Sequence, residues 1–86
     1  MIVLDLVLTH HWYDLIESGR KTVEYREVKP YWTKRLFRKP YSHVRFRRGY
    51  TKEDMVFELL SIDIYKGEND LNLPEVYRLS LGERIV

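Results

Sequence analysis

The sequence predicts an α+β fold, a small mixed and largely antiparallel β-barrel that carries two short helices. Five stretches are apolar or alternate in the two-residue rhythm of a strand, against two that set apolar residues at i, i+3 and i+4. Their order, β-α-β-α-β-β-β, ends on three successive strands, which suits a barrel better than a helix-flanked sheet. With 86 residues there is one domain, spanning 1–86, and a chain of this size buries only about 60–65% of its unfolded surface.

Residues 2–8, Ile-Val-Leu-Asp-Leu-Val-Leu, read as a central strand buried on both faces. Thr9 is placed to cap a helix through its hydroxyl, with Trp12, Leu15 and Ile16 on the inner face and Asp14 and Glu17 away from it. His10 and His11 are sequence neighbours, cannot face one metal from a helix, and read as capping or surface residues. Ser18 and Gly19 end this helix, and a strand follows through Glu27. Pro30 opens a second, basic helix over 31–38, with Trp32 and Leu36 on its apolar face, and Pro40 closes it. Residues 42–48 alternate His43, Arg45 and Arg47 against Val44, Phe46 and Arg48, and Gly49 turns the chain so that Tyr50 is displayed. Residues 55–65 form a strand long enough to bend. Glu58, among apolar neighbours there, reads as an edge position or a face-switching bulge ahead of a buried catalytic carboxylate. A polar loop over 66–73 leads to a last strand over 76–81, which Gly82 separates from Ile85 and Val86.

Composition narrows the function classes. Hydrophobic residues make up 44% and charged residues 33%, and no apolar run approaches the roughly 20 residues of a bilayer-spanning helix, so a membrane role is not expected. The first eight residues carry neither a basic n-region nor a cleavage site, and there is no cysteine. Both point to a cytoplasmic protein without disulfides, thiol chemistry or Cys-ligated metal. No metal or cofactor is expected. Charge is concentrated in the middle: residues 1–28 hold three basic and five acidic side chains, residues 29–50 eight and none, residues 51–86 four and eight, or −2, +8 and −4. A basic segment interleaved with Tyr31, Trp32, Phe37, Tyr41, Phe46 and Tyr50 suits a phosphate backbone and stacked bases, although a domain this small needs most of its aromatics inside.

The stretch Gly19-Arg-Lys-Thr-Val-Glu-Tyr-Arg26 carries the strongest chemistry. Alternation sends Val23 and Tyr25 to an apolar face and lines up Thr22, Glu24 and Arg26 on the other. Burying those polar groups unpaired would cost about 1–3 kcal/mol each, so they pair with one another, face a solvated cleft, or hold a ligand. Lys21 falls on the opposite face unless the turn after Gly19 redirects it.

With the Trp12, Leu15, Ile16 helix before it, the spacing of Gly19, Lys21, Glu24 and Arg26 resembles the Gly-x-Lys-x-x-Glu-x-Arg signature of the ASCH domain, the activating-signal-cointegrator homology family, which has a PUA-like fold. The resemblance extends over nearly the whole chain and implies a barrel whose cleft beside the signature strand receives Lys21, Thr22, Glu24 and Arg26 and binds RNA or a nucleotide-like ligand. Lys21 and Arg26 would hold phosphate or a base edge, Glu24 would accept from an exocyclic amine, and Trp12 or Tyr50 would stack. Arg47 and Arg48 would add phosphate contacts. Some relatives are small acetylcytidine amidohydrolases, whose signature is similar to Gly-Arg-Lys-Thr-x-Thr-x-Arg and whose second threonine is the nucleophile. Here Glu24 stands at that position, and a carboxylate does not replace an attacking alkoxide.

Three readings follow. The favoured one is an RNA- or nucleotide-binding module without catalysis. The second is a small hydrolase acting on RNA or a modified nucleoside, with Lys21, Glu24 and Thr22 as its catalytic candidates. The third is a regulatory domain whose basic face binds a protein partner.

Overall fold

The computed structural model describes residues 1–86. Leu4, Leu6 and Leu8 alternate inward along β1 (Val3–Leu8), and Val44 and Phe46 do the same on β3 (His43–Arg48), which runs parallel to it. Between them come α1 (His10–Glu17), β2 (Val23–Glu27) and α2 (Pro30–Leu36); β4 (Asp54–Tyr65) and β5 (Val76–Arg84) complete the chain. The sheet order is β1-β3-β4-β5-β2, antiparallel at every pairing except β1 with β3. The five strands curl into a half-barrel around one apolar cluster to which α1 adds Tyr13 and Ile16, and α2 adds Leu36.

The sheet stays open because its two edge strands, β1 and β2, do not pair with each other. This corrects the expectation of a central first strand buried on both faces: β1 is an edge strand, Asp5 and Val7 point outward, and Val7 is 44% exposed. Its outer valines line surface clefts instead of packing against a second layer.

Helix α1 also differs in detail. The Thr9 hydroxyl makes no capping bond; its carbonyl accepts from the Tyr13 amide at 3.0 Å, which begins the helical ladder. Tyr13 and Ile16 are the buried pair, whereas Trp12 is partly buried, packing against the edge of the apolar cluster and lining the open side of the barrel.

β4 bends where its register to β5 shifts between Phe57, Leu59 and Ser61. The extra residues let Met55, Val56 and Phe57 all bury in succession, which strict alternation forbids. Glu58 sits at this irregularity, and its Oε1 accepts from the Glu83 amide at 2.9 Å, a structural use. β5 therefore runs on through Gly82 to Arg84 instead of breaking there. A Cβ on Gly82 would come within 2.8 Å of Glu58 Oε1 and 3.0 Å of Glu58 Cβ, so glycine here leaves the room that the Glu58 side chain occupies.

A cleft between the two sheet edges

Successive residues of a strand point their backbone groups to opposite edges. On β1 the Ile2 and Leu8 carbonyls accept from residues 42, 43 and 49 on the β3 side. The Asp5 and Val7 carbonyls face the free edge, where a strand would normally be needed to satisfy them. Two guanidinium groups serve instead: Arg26 Nη2 on β2 donates to Val7 O at 3.4 Å, and Arg35 Nη2 on α2 donates to Asp5 O. Side chains thus bridge the gap in the half-barrel, and the space they leave is a cleft of about 230 Å³.

The centre of the cleft is Glu24, the one buried charged residue of the chain, 5% exposed. Its Oε1 accepts from Lys21 Nζ and its Oε2 from Arg26 Nη2, each at 2.9 Å. Of the three possibilities open at the level of sequence, the polar face of β2 pairs with itself. It is also the inner face: Glu24 is buried while Val23 and Tyr25, expected inside, are only half-buried. The reason is the edge position of β2, whose inner face looks across the gap to β1 and not onto the apolar cluster.

Lys21 reaches Glu24 because the turn does redirect it. Gly19 adopts φ +82°, a left-handed conformation that disfavours any residue with a Cβ, and its amide donates to Ile16 O while the Lys21 amide donates to Leu15 O, both at 3.1 Å. The chain folds back over the end of α1, and Lys21 Nζ arrives 4.3 Å from the centre of the Trp12 ring. Arg26 lies in the same way over Trp32 of α2, at 4.8 Å. Each cation of the row is therefore held by a carboxylate and by an indole face, and the two tryptophans flank the row.

Asp70 completes the cluster from the β4–β5 loop, with Oδ2 2.5 Å from Lys21 Nζ. Asn69 braces this loop: its Nδ2 donates to the Gly67 and Leu73 carbonyls, and its Oδ1 accepts from the Leu71 and Leu73 amides. Tyr25, stacked on Tyr65, lines the same cleft. Partial burial raises its phenol above the ordinary tyrosine value; Tyr65 and Asp70 add to the shift, and Lys21 and Arg78 oppose it.

Lys21 and Arg26 against Glu24 and Asp70 give two formal positive and two negative charges. The paired row at the floor of the cleft is thus formally neutral, and Glu27 adds one more carboxylate to the lining.

The structure brings Trp12, Lys21, Glu24 and Arg26 together and leaves the other sequence candidates elsewhere. Thr22 is exposed outside the cleft lining, with its carbonyl accepting from the Leu81 amide. Arg47 projects beside Val7 into a neighbouring depression. Arg48 is turned to α1, where Nε and Nη2 donate to the Asp14 carboxylate at 2.9 and 3.2 Å, and that contact holds the Asp14 carboxyl below its usual value. Tyr50, 94% exposed at the Gly49 turn, stands apart from the cleft. Two residues of the site escaped the sequence reading. Trp32 carries a visible signal, an aromatic in a basic segment; its spacing to Leu36 points to the core, against which it does pack, while its exposed part lines the cleft. Asp70 had none, since nothing local links a loop carboxylate to a lysine 49 positions earlier.

Among the described residues no group of His, Asp and Glu is arranged to hold a metal ion, and no helix is long and apolar enough to cross a membrane. The sequence matches no family model, and no curated protein matches it significantly.

Proposed function

We propose that this chain is an ASCH-like binding module that takes a nucleobase, presented by RNA or by a nucleotide-like ligand, in the cleft between β1 and β2. One observation carries the reading: a buried carboxylate held between two cations, each cation in turn lying on a tryptophan. A carboxylate beside cationic donors offers both halves of the hydrogen-bonding pattern of a base edge, and indole rings offer surfaces on which a base stacks at about 1–3 kcal/mol each. The volume, about 230 Å³, is below the roughly 300 Å³ at which pockets for drug-sized ligands begin, and suits one small planar group.

Binding is favoured over hydrolysis by the position of the groups that would have to react. The Thr22 hydroxyl is outside the cleft, and Lys21 Nζ has two of its three donors committed to carboxylates. The two tryptophans of the chain both flank the cleft, so their fluorescence reports directly on it. Titration with a nucleoside panel and short single-stranded RNA should give saturable quenching with the RNA intact afterwards, and Trp12→Ala should weaken binding by about tenfold. RNA cleavage or nucleoside deacylation that Lys21→Ala abolishes would replace this reading with the hydrolase.

A further inference from the structure

The cleft does not end at Arg26. Two further depressions, of about 260 and 440 Å³, adjoin it along the free edge of β1; the first shares Val7, Arg26 and Trp32 with the cleft, and the second shares Asp5, Tyr31 and Arg35 with the first. Together they form a trough between β1 and α2. Its cations are Lys34, Arg35, Arg38, Arg45 and Arg47. Only Arg45 has carboxylate partners, Asp5 at 3.4 Å and Asp54 at 3.9 Å; Arg35 is bonded to a backbone carbonyl, and Lys34, Arg38 and Arg47 have no ion-pair partner. The neighbouring cleft pairs both its cations with carboxylates and has Glu27 besides, whereas the trough leaves most of its cations without a carboxylate.

That difference in charge between connected spaces is the pattern a polynucleotide presents, with neutral bases and anionic links. We propose that the trough is the phosphate track of a single-stranded polynucleotide whose base occupies the cleft. This inference rests on the cleft reading and extends it from a nucleotide to a chain. The trough follows β1 from Val7 back to Val3, about 13 Å at ~3.3 Å per residue. At ~3.4 Å per stacked nucleotide, and more for an unstacked one, that length takes about two to four nucleotides. Tyr31, 59% exposed at the junction of the two depressions and edge-on to Trp32, provides a ring for a second base. The interleaved aromatic rings favour a nucleic acid over an acidic polypeptide, which has no bases to stack. RNA and DNA share the recognised chemistry.

The test compares four probes, a roughly eight-nucleotide single-stranded RNA, the same sequence in DNA, a nucleoside monophosphate and polyglutamate, across a salt series. The double variant Lys34→Gln/Arg38→Gln removes two exposed, unpaired cations outside the cleft lining, with circular dichroism confirming the fold. The track predicts that the oligonucleotide binds more tightly than the monophosphate and polyglutamate more weakly than either nucleic acid. It also predicts that the double variant weakens oligonucleotide binding by about tenfold or more and lowers the steepness of log K against log salt by about 1.4, or ~0.7 per contact, while the monophosphate is unaffected. A preference between the RNA and DNA arms identifies the source. If the double variant binds the oligonucleotide with wild-type affinity and salt slope while Trp12→Ala weakens it, the track is overturned and the cleft reading stands. If Trp12→Ala changes nothing and the double variant still weakens oligonucleotide binding, the cleft reading falls and with it the placement of a base there, while the trough is supported as a phosphate track alone. Polyglutamate binding as tightly as RNA overturns the track in favour of an acidic protein partner, and oligonucleotide binding no tighter than the monophosphate overturns it outright.

Discussion

A carboxylate as buried as Glu24 is tolerated only while both its oxygens are occupied, because an unpaired charge inside a protein costs several kcal/mol. Lys21 and Arg26 occupy one oxygen each, and the same two contacts hold both cations against their tryptophans. Glu24 is therefore the residue on which the arrangement of the cleft depends. Glu24→Gln keeps the shape but replaces an anionic acceptor with an amide that offers one neutral acceptor and one misplaced donor. The expected loss is about 1.5–3 kcal/mol, read in thermal denaturation as a Tm lower by about 4–8 °C for each kcal/mol. A variant with wild-type Tm would show that the pair contributes nothing to stability. The placement of Glu24 and Arg26 on one face is legible from alternation alone, and the sequence allows their mutual pairing. What alternation could not supply was which face is inside. That depends on β2 being an edge strand, a property of the whole sheet, and alternation alone gives Val23 and Tyr25 the burial that belongs to Glu24.

Two Arg–Asp contacts outside the cleft, each made through two hydrogen bonds, tie pairs of elements together. Arg48 of β3 holds Asp14 of α1, and Arg78 of β5 holds Asp63 of β4 with bonds at 3.1 and 2.8 Å. In both cases hydrogen bonding from the guanidinium is the largest cause of a lowered aspartate value. A carboxyl depressed in the folded state stabilises it fully above the unfolded value of about 3.9, and that contribution disappears as pH falls through the lower folded value. Asp14→Asn/Asp63→Asn should therefore be less stable than the parent at neutral pH, by a modest amount because these pairs are largely solvated, and the difference should be smaller at an acid pH below the unfolded value. Urea denaturation at both pH values checks this, and an equal difference at the two would contradict it. The elements themselves were mostly legible: two helices and five strands fall where periodicity put them. β4 and β5 were harder to read, because a bulge breaks the two-residue rhythm by design and a glycine in a strand looks like a stop until the partner that needs its space is known.

Across the whole molecule the sheet is a barrel left unclosed, and the opening is where its chemistry collects. Residues distant in sequence, from α1, β2, α2 and the β4–β5 loop, meet there because β1 and β2 end at opposite edges of one curled sheet. The concentration of positive charge in residues 29–50 was visible in the sequence, but its separation into Arg48, bound to α1, and a set facing the trough depends on tertiary placement. The most direct test of the central claim follows backbone amide and indole N–H resonances by NMR while single-stranded RNA is added. The account predicts saturable, concerted shifts of both indoles, Trp12 and Trp32, and of the Lys21, Glu24 and Arg26 amides, with the Tyr50 turn unmoved. Shifts centred on Arg48 and Tyr50 that leave both indoles unchanged would contradict it, as would no shifts at all.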